Sequence, residues 1–261
     1  MTGALRVVWA GAAAQLRGFM AAPADFLGSV VLSPIVVSIF FFLFLQIAGR
    51  LDTLVAFAVV APGLSAVWSA ALTIAGETID SERWQGTLEP LVIAPQNGLL
   101  FSVTGRILAT SFFSLVGMLE AILVGRLIFD APIVVYQPLA FTVILILTTL
   151  SVAAAGVIMA STFVLARSVR LFQNVLSTPF LLLGGVAFPV AVLPLWLQPF
   201  SSVISLSWGA SGLRQALMIE PVSWLPFVML PLLTVVYGTI GYMLLIRIER
   251  RIRATGAVGA S

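Results

Sequence analysis

Long uncharged, hydrophobic stretches alternate with short charged segments along this 261-residue chain. As a helix, about 20 such residues cross the roughly 30 Å hydrocarbon core of a bilayer. The third stretch is interrupted by Glu120 and Arg126, and the others are uncharged. The pattern predicts six membrane-spanning helices, at 26–49, 53–76, Arg106–Phe129, Pro138–Leu165, 172–187 and 221–246.

The uncharged window 171–213 is too long for a single span. Gly184 and Gly185 interrupt it, and prolines follow at positions 189, 194 and 199. Both residue types end or bend helices. We therefore expect one span, the fifth, followed by extracellular re-entrant helices that do not cross the membrane before the sixth.

Before the first span, apolar residues recur at three- and four-residue steps, while Arg6 and Arg17 lie on another face. This spacing predicts an amphipathic helix in the cytoplasmic headgroup region, with a partly ordered tail as the alternative. The chain then divides into residues 1–25, the N-terminal interfacial helix, 26–247, a six-span domain, and 248–261, a basic and flexible cytoplasmic tail. The apolar face comprises Leu5, Val8, Trp9, Ala12, Leu16, Phe19 and Met20.

Charge content and its distribution support this interpretation. Only 9% of the residues are charged, against about 25% in soluble domains, so the expected fold class is all-α integral membrane. With both termini in the cytoplasm, most arginines lie on the cytoplasmic side, and Arg50, Arg126 and Arg214 lie outside. Because the arginines mark membrane edges rather than one patch, nucleic-acid binding is not expected.

The sequence contains no cysteine, histidine or lysine. Their absence excludes disulfides, thiolate nucleophiles and the ordinary ligands of zinc and haem. No sequence of the form G-x-x-x-x-G-K-[ST] occurs either, so the chain is not expected to hydrolyse ATP by itself. We assign no catalytic residue, cofactor site or metal site to this chain.

Residues 76–90, GETIDSERWQGTLEP, form an acidic segment between the second and third spans. The topology places this segment in the cytoplasm, and its pattern predicts a short helix that Gly86 ends. A short charged helix suits docking to a soluble partner, because its charges set register and orientation. A solvated loop that only separates two spans is the alternative.

In this segment an acid and an arginine, Glu82 and Arg83, precede a Gly-Thr-Leu-Glu motif and a proline. The arrangement resembles the coupling helix of permease subunits in ABC-2 type exporters. The resemblance implies that Glu77, Asp80 and the matching residues contact an ATPase subunit. The positions that match the pattern are Glu82, Arg83, Gly86, Thr87, Leu88, Glu89, Leu91 and Pro95, with Gly105 and Arg106 where the next span begins.

A second stretch, PFLLLGGVAFPVAVLPLWLQ at 179–198, is similar to the fifth span and the re-entrant helices of the same family. GLRQAL at 212–217 matches the close of that region. The family often has an Asn-Pro-Leu-Thr-like turn where this chain has Ser-Leu-Ser-Trp at 205–208. The residues expected to shape the re-entrant element are Gly184, Gly185, Phe188, Pro189, Pro194, Trp196 and Arg214.

Glu120 lies within the predicted third span. An acid inside a membrane is costly, so such residues are often paired or functional. Arg126, Arg214 or Arg50 could be its partner in a structural charge pair. A contact of Glu120 with the substrate is the alternative.

The resemblance implies the permease subunit of an ATP-driven exporter in the inner (plasma) membrane, forming the substrate path. The expected partners are two copies of a cytosolic ATPase subunit, which would bind ATP and Mg²⁺, and a second permease, identical or related. A drug-like amphiphile, a lipid or a lipid-linked glycan is the expected substrate. The alternatives are an ATP-independent secondary transporter or channel, for which a single intramembrane acid gives little support, and an intramembrane enzyme.

Overall fold

The computed structural model describes residues 2–84, 98–165 and 169–255. Within these ranges the regular structure is helical. The chain forms α1 (Thr2–Ala21), α2 (Pro23–Phe26), a π-helix (Leu27–Leu32), α3 (Ser33–Ile47), α4 (Leu51–Trp84), α5 (Gly98–Phe113), α6 (Val116–Ile128), α7 (Pro138–Leu165), α8 (Val169–Leu183), a 3₁₀ turn (Val190–Val192), α9 (Gln198–Val203), α10 (Ser205–Ala216) and α11 (Leu225–Thr255).

Five helical stretches in the described ranges are long and apolar enough to cross a membrane. They correspond to the predicted first, second, third, fourth and sixth spans. The predicted fifth span forms as α8, which has 15 residues. At about 1.5 Å per residue this helix is about 22 Å long, shorter than the hydrocarbon core. The five stretches are Val30–Ile47, Leu54–Thr78, Leu100–Ile128, Pro138–Phe163 and Leu225–Arg250.

The central helix of the bundle is α4. It packs against α3, α5, α6, α7, α8 and α10. Small residues allow this close packing: a Cβ at Gly63 would collide with Met118 of α6, and one at Gly117 of α6 would press on Ala66 of α4. The membrane section of α4 is therefore surrounded by protein on most sides.

The C-terminal part of α4 extends beyond the predicted end of the second span. The sequence predicts a span ending near residue 76 and a short helix within the acidic segment 76–90. After a kink at Leu54, whose backbone is not helical, α4 continues to Trp84. No glycine or proline lies between 77 and 84 to interrupt the helix. The acidic residues up to position 84 thus extend the second span directly.

The third span begins earlier than predicted and has a local irregularity. Its first helix, α5, starts at Gly98 rather than at Arg106. At Ser114 and Leu115 the backbone tightens, since the N–H groups of Leu115, Gly117 and Met118 donate to carbonyls three residues earlier. The stretch Leu100–Ile128, which includes this turn and α6, is long and apolar enough to form one span.

Within the predicted N-terminal helix, Thr2–Ala21 is helical and makes protein contacts that the sequence did not predict. In the middle of α1, Gly11 lies against the backbone of Ser102 in α5. Near its end, the Phe19 ring meets Phe113 edge to face, with centroids 5.7 Å apart. The two helices therefore run side by side. The predicted apolar face is divided, because Trp9 and Met20 are 74% and 73% exposed while Phe19 packs on protein.

Candidate functional site

The predicted coupling residues lie partly on α4. Glu77 is exposed near the inner end of the second span, and the backbone of Asp80, Glu82 and Arg83 continues the helix beyond it. The remaining predicted coupling residues, Gly86, Thr87, Leu88 and Glu89, lie outside the described residues, which resume at Gly98.

The start of α5 is held by a residue that the sequence analysis did not single out. Glu249 of α11 is 1% exposed, and its Oε1 accepts a hydrogen bond from the backbone N–H of Leu100, 3.2 Å away. Leu100 lies in the first turn of α5, where backbone N–H groups lack partners within the helix and favour an acid. The feature of the sequence that could have indicated Glu249 is its position as the one acid among the arginines of RIERRIR at 247–253.

The predicted re-entrant region folds into a 3₁₀ turn and two short helices, α9 and α10. The turn after α8 requires glycine, because Gly185 has φ +60° and a Cβ there would lie 2.6 Å from Val190 Cγ2. Pro194 and Trp196 are exposed, and Phe188 is half-buried. The stretch that departs from the family pattern, Ser205–Trp208, forms the first turn of α10.

Arg214 connects this region to the central helix. Its guanidinium donates to the carbonyl oxygen of Gly185 at 2.9 Å and lies 4.4 Å from the centroid of the Phe57 ring in α4. Burial lowers the pKa of Arg214 to about 10, so the side chain remains charged at neutral pH. The sequence predicted Gly185 and Arg214 for this element, whereas Phe57 was missed because an aromatic residue in a span gives no distinguishing signal.

The short helix α8 runs antiparallel to α4. Near its start, the Gln173 side chain donates to the backbone carbonyls of Leu72 and Thr73, at 3.0 and 3.2 Å. Further along, Phe180 stacks on Trp68 with centroids 4.9 Å apart. The turn after α8 reaches Arg214, which lies on the Phe57 ring of α4. The contacts of α8 and its turn therefore extend along α4 from Leu72 to Phe57, about 22 Å of helix.

Glu120 is 8% exposed on α6, and its Oε2 has no hydrogen-bond partner in the described structure. Two of the predicted partners bond elsewhere: Arg126 donates to the carbonyl of Ile133, and Arg214 to that of Gly185. Between Glu120 and either of these arginines, the structure therefore shows no charge pair.

These features define an integral membrane protein with several spans, in which a central helix extends from the turn after α8 to the acidic residues 77–84. The sequence matches the family described as ABC-2 type transporter over residues 6–218. The chain therefore belongs to the ABC-2 type transporter family, as a permease component of an ABC transporter. The family normally works in a membrane together with an ATP-binding partner. A search of curated proteins finds no match to the chain.

Proposed function

We propose that this chain is the permease subunit of an ATP-driven exporter in the inner (plasma) membrane. Two permease copies, identical or related, enclose the substrate path, and two copies of a cytosolic ATPase subunit bind ATP and Mg²⁺. The substrate is a drug-like amphiphile, a lipid or a lipid-linked glycan. The observation that carries this proposal is the continuity of α4 between the cytoplasmic loop and the bundle core.

This continuity provides a physical route for coupling. Beyond the kink at Leu54, the 30 residues 55–84 of α4 extend for about 45 Å. A helix is stiff along its axis, so a partner that displaces residues 77–84 also displaces the membrane section of α4. Because α4 contacts six neighbouring helices, that displacement changes the packing of the whole bundle. The outer end moves with it through the Phe57–Arg214 contact.

In the proposed topology both termini lie in the cytoplasm and α8 is the fifth of six crossings. The side-by-side contacts between α8 and α4 support a crossing, although α8 alone is shorter than the bilayer core. The re-entrant helices α9 and α10 follow at the outer side, so α8 ends before the outer surface. The even number of crossings keeps the arginines at 247–253 in the cytoplasm, as the positive-inside rule favours.

Charge reversal of the loop tests the coupling role. The chain is purified with its ATPase subunit, reconstituted, and assayed for ATP hydrolysis and transport. We expect the triple variant Glu82→Arg, Arg83→Glu, Glu89→Arg to insert normally. Its transport rate is expected to fall by about tenfold or more, since a loss of about 1.4 kcal/mol in binding free energy weakens the docking of the ATPase subunit tenfold. Substrate is identified in the same assay by screening drugs and lipids for stimulated hydrolysis.

The matched control is Glu220→Arg, which reverses an exposed acid in the outer connection between α10 and α11. This variant retains wild-type transport if the effect is specific to the cytoplasmic loop. Wild-type coupling in the triple variant would contradict the docking role.

A further inference from the structure

A cavity of about 760 Å³ lies between α1, the π-helix, α3, α4 and α5. Along α4 it extends from Pro62 to Glu77, about 22 Å of helix. Glu77 is close to the inner end of the span Leu54–Thr78, so the cavity occupies the cytoplasmic part of the membrane section. Its volume is within the range of about 300–1,000 Å³ typical of sites for drug-sized ligands.

One wall of this cavity is a polar face of α4. Ser65, Ser69, Thr73 and Glu77 recur at four-residue steps and all line the cavity. Between Leu54 and Thr78, the exposed side chains are Ser69, Thr73 and Glu77, while the other described positions are buried or half-buried. Exposed hydroxyls and an acid do not suit contact with lipid tails, so this face meets water or a polar ligand.

The neighbouring positions on α4 keep this wall open. Pro62, Ala66 and Ala70 also line the cavity at four-residue steps. Their side chains are too short to fill the space beside the hydroxyls. The small residues of this part of α4 thus serve the cavity as well as helix packing.

Three separate irregularities of the spans meet at the same cavity. Gly28 and Val30 of the π-helix line it, as do Pro62 of α4 and Ser114 at the tightened turn between α5 and α6. Irregular backbone at membrane depth is tolerated where it is buried in protein or lines a cavity, and π-helical turns often occur at functional sites. Their convergence points to a site rather than to a packing defect.

The walls that α1, α2 and α3 contribute carry aromatic and aliphatic groups beside the polar Gln15 and Ser33. Phe19, Phe26 and Val37 line the cavity, and the rings of Phe19 and Phe26 are 5.0 Å apart. A cavity that combines a row of hydroxyls along α4 with aromatic and aliphatic groups on other helices fits a molecule with one polar and one apolar part.

We propose that this cavity, within one permease chain, binds a drug-sized amphiphile taken from the cytoplasmic leaflet. Its polar head lies along Ser65, Ser69 and Thr73, and its apolar part lies against Phe19, Phe26 and Val37. The proposal rests on the proposed exporter function, since it assigns the first binding site of that transport cycle.

Cysteine accessibility tests the cavity directly, because the natural chain contains no cysteine. The full chain with the single substitution Ser69→Cys is placed in lipid nanodiscs and treated with a water-soluble maleimide. We expect its thiol to react about tenfold faster than that of Val36→Cys, because the reactive thiolate forms in water and not in lipid. Val36 is the matched control, being 63% exposed on α3 and outside the cavity lining.

The second measurement adds dodecyltrimethylammonium below its micelle-forming concentration. Occupancy of the cavity slows the labelling of Ser69→Cys, whereas Glu220→Cys, exposed in an outer connection, reacts at an unchanged rate. Equal labelling of Ser69→Cys and Val36→Cys, or fast labelling that the amphiphile does not slow, would overturn the proposal. Oxidation of Ser69→Cys to a disulfide-linked pair of chains would overturn it too, since the face would then be an interface between copies.

This assay requires neither the ATPase nor nucleotide. Protection of Ser69→Cys together with normal transport in the triple loop variant would refute the coupling role alone. Loss of transport in the loop variant without protection at Ser69→Cys would refute the cavity alone.

Discussion

The carboxylate of Glu249, in the last helix, accepts a hydrogen bond from the backbone N–H of Leu100, in the first turn of α5. These residues are 149 positions apart in the sequence. The contact ties the start of α5 to α11. Under the proposed coupling role, a partner that displaces the end of α4 or the start of α5 therefore acts on helices that are packed into the bundle.

Glu249→Ala is expected to destabilise the protein by about 1.5–3 kcal/mol, the usual worth of a hydrogen bond to a charged group. Thermal unfolding in detergent, followed by tryptophan fluorescence, measures this loss. Hydrogen exchange of a peptide from the start of α5 is expected to accelerate as well. Glu220→Ala, at an exposed acid, is the control and changes stability by less than about 0.5 kcal/mol. An unchanged exchange rate at α5 in Glu249→Ala would show that the contact does not hold this turn.

Replacing Glu120 is expected to change the stability of the protein in the opposite direction from replacing Glu249. Its Oε2 is buried without a hydrogen-bond partner, and a buried carboxylate without a partner costs free energy. Glu120→Gln keeps the volume and removes the charge, so we expect equal or higher stability, by up to about 1 kcal/mol. Glu249→Gln, compared in the same unfolding assay, is expected to lower the stability. A clear loss of stability in Glu120→Gln would instead support the charge pair predicted from the sequence.

The turn after α8 is expected to tolerate only glycine at 185. Gly185→Ala places a Cβ against Val190 in a backbone conformation with positive φ, so we expect a loss of about 1–2 kcal/mol. Gly238→Ala is the matched control, because a Cβ there meets no atom within 4 Å and α11 is helical. That change is expected to raise stability by up to about 1 kcal/mol. Equal unfolding temperatures for the two variants would contradict the observed turn.

The contact between Arg214 and Phe57 is testable by a double-mutant cycle. Arg214→Met removes both the hydrogen bond to Gly185 and the charge over the ring, and Phe57→Leu removes the ring alone. We expect an interaction energy of about 0.5–2 kcal/mol between the two changes, as measured for cation–π pairs. Strict additivity would show that Arg214 is held by Gly185 alone.

The sequence located most spans because a bilayer imposes a simple requirement on length and polarity. Pro138–Leu165 matches α7 residue for residue, since a proline begins it and Arg167 follows its end. The coupling helix stays a prediction, because only its first residues are described and they continue α4. A fall in hydrophobicity marks where a helix leaves the membrane, but it does not end the helix, and α4 continues to Trp84.

The sequence by itself determined that this chain is an all-helical membrane protein, and its two motifs identified the family. Tertiary structure decided which side of each span meets protein, lipid or a cavity. Lipid and protein interiors are equally apolar, so hydrophobicity cannot distinguish a lipid-facing residue from a core residue. The four-residue spacing of Ser65, Ser69 and Thr73 is visible in the sequence, but only the packing around α4 leaves that face open. The contact of Glu249 with Leu100 likewise depends on how α11 and α5 meet, a relation that neither segment encodes alone.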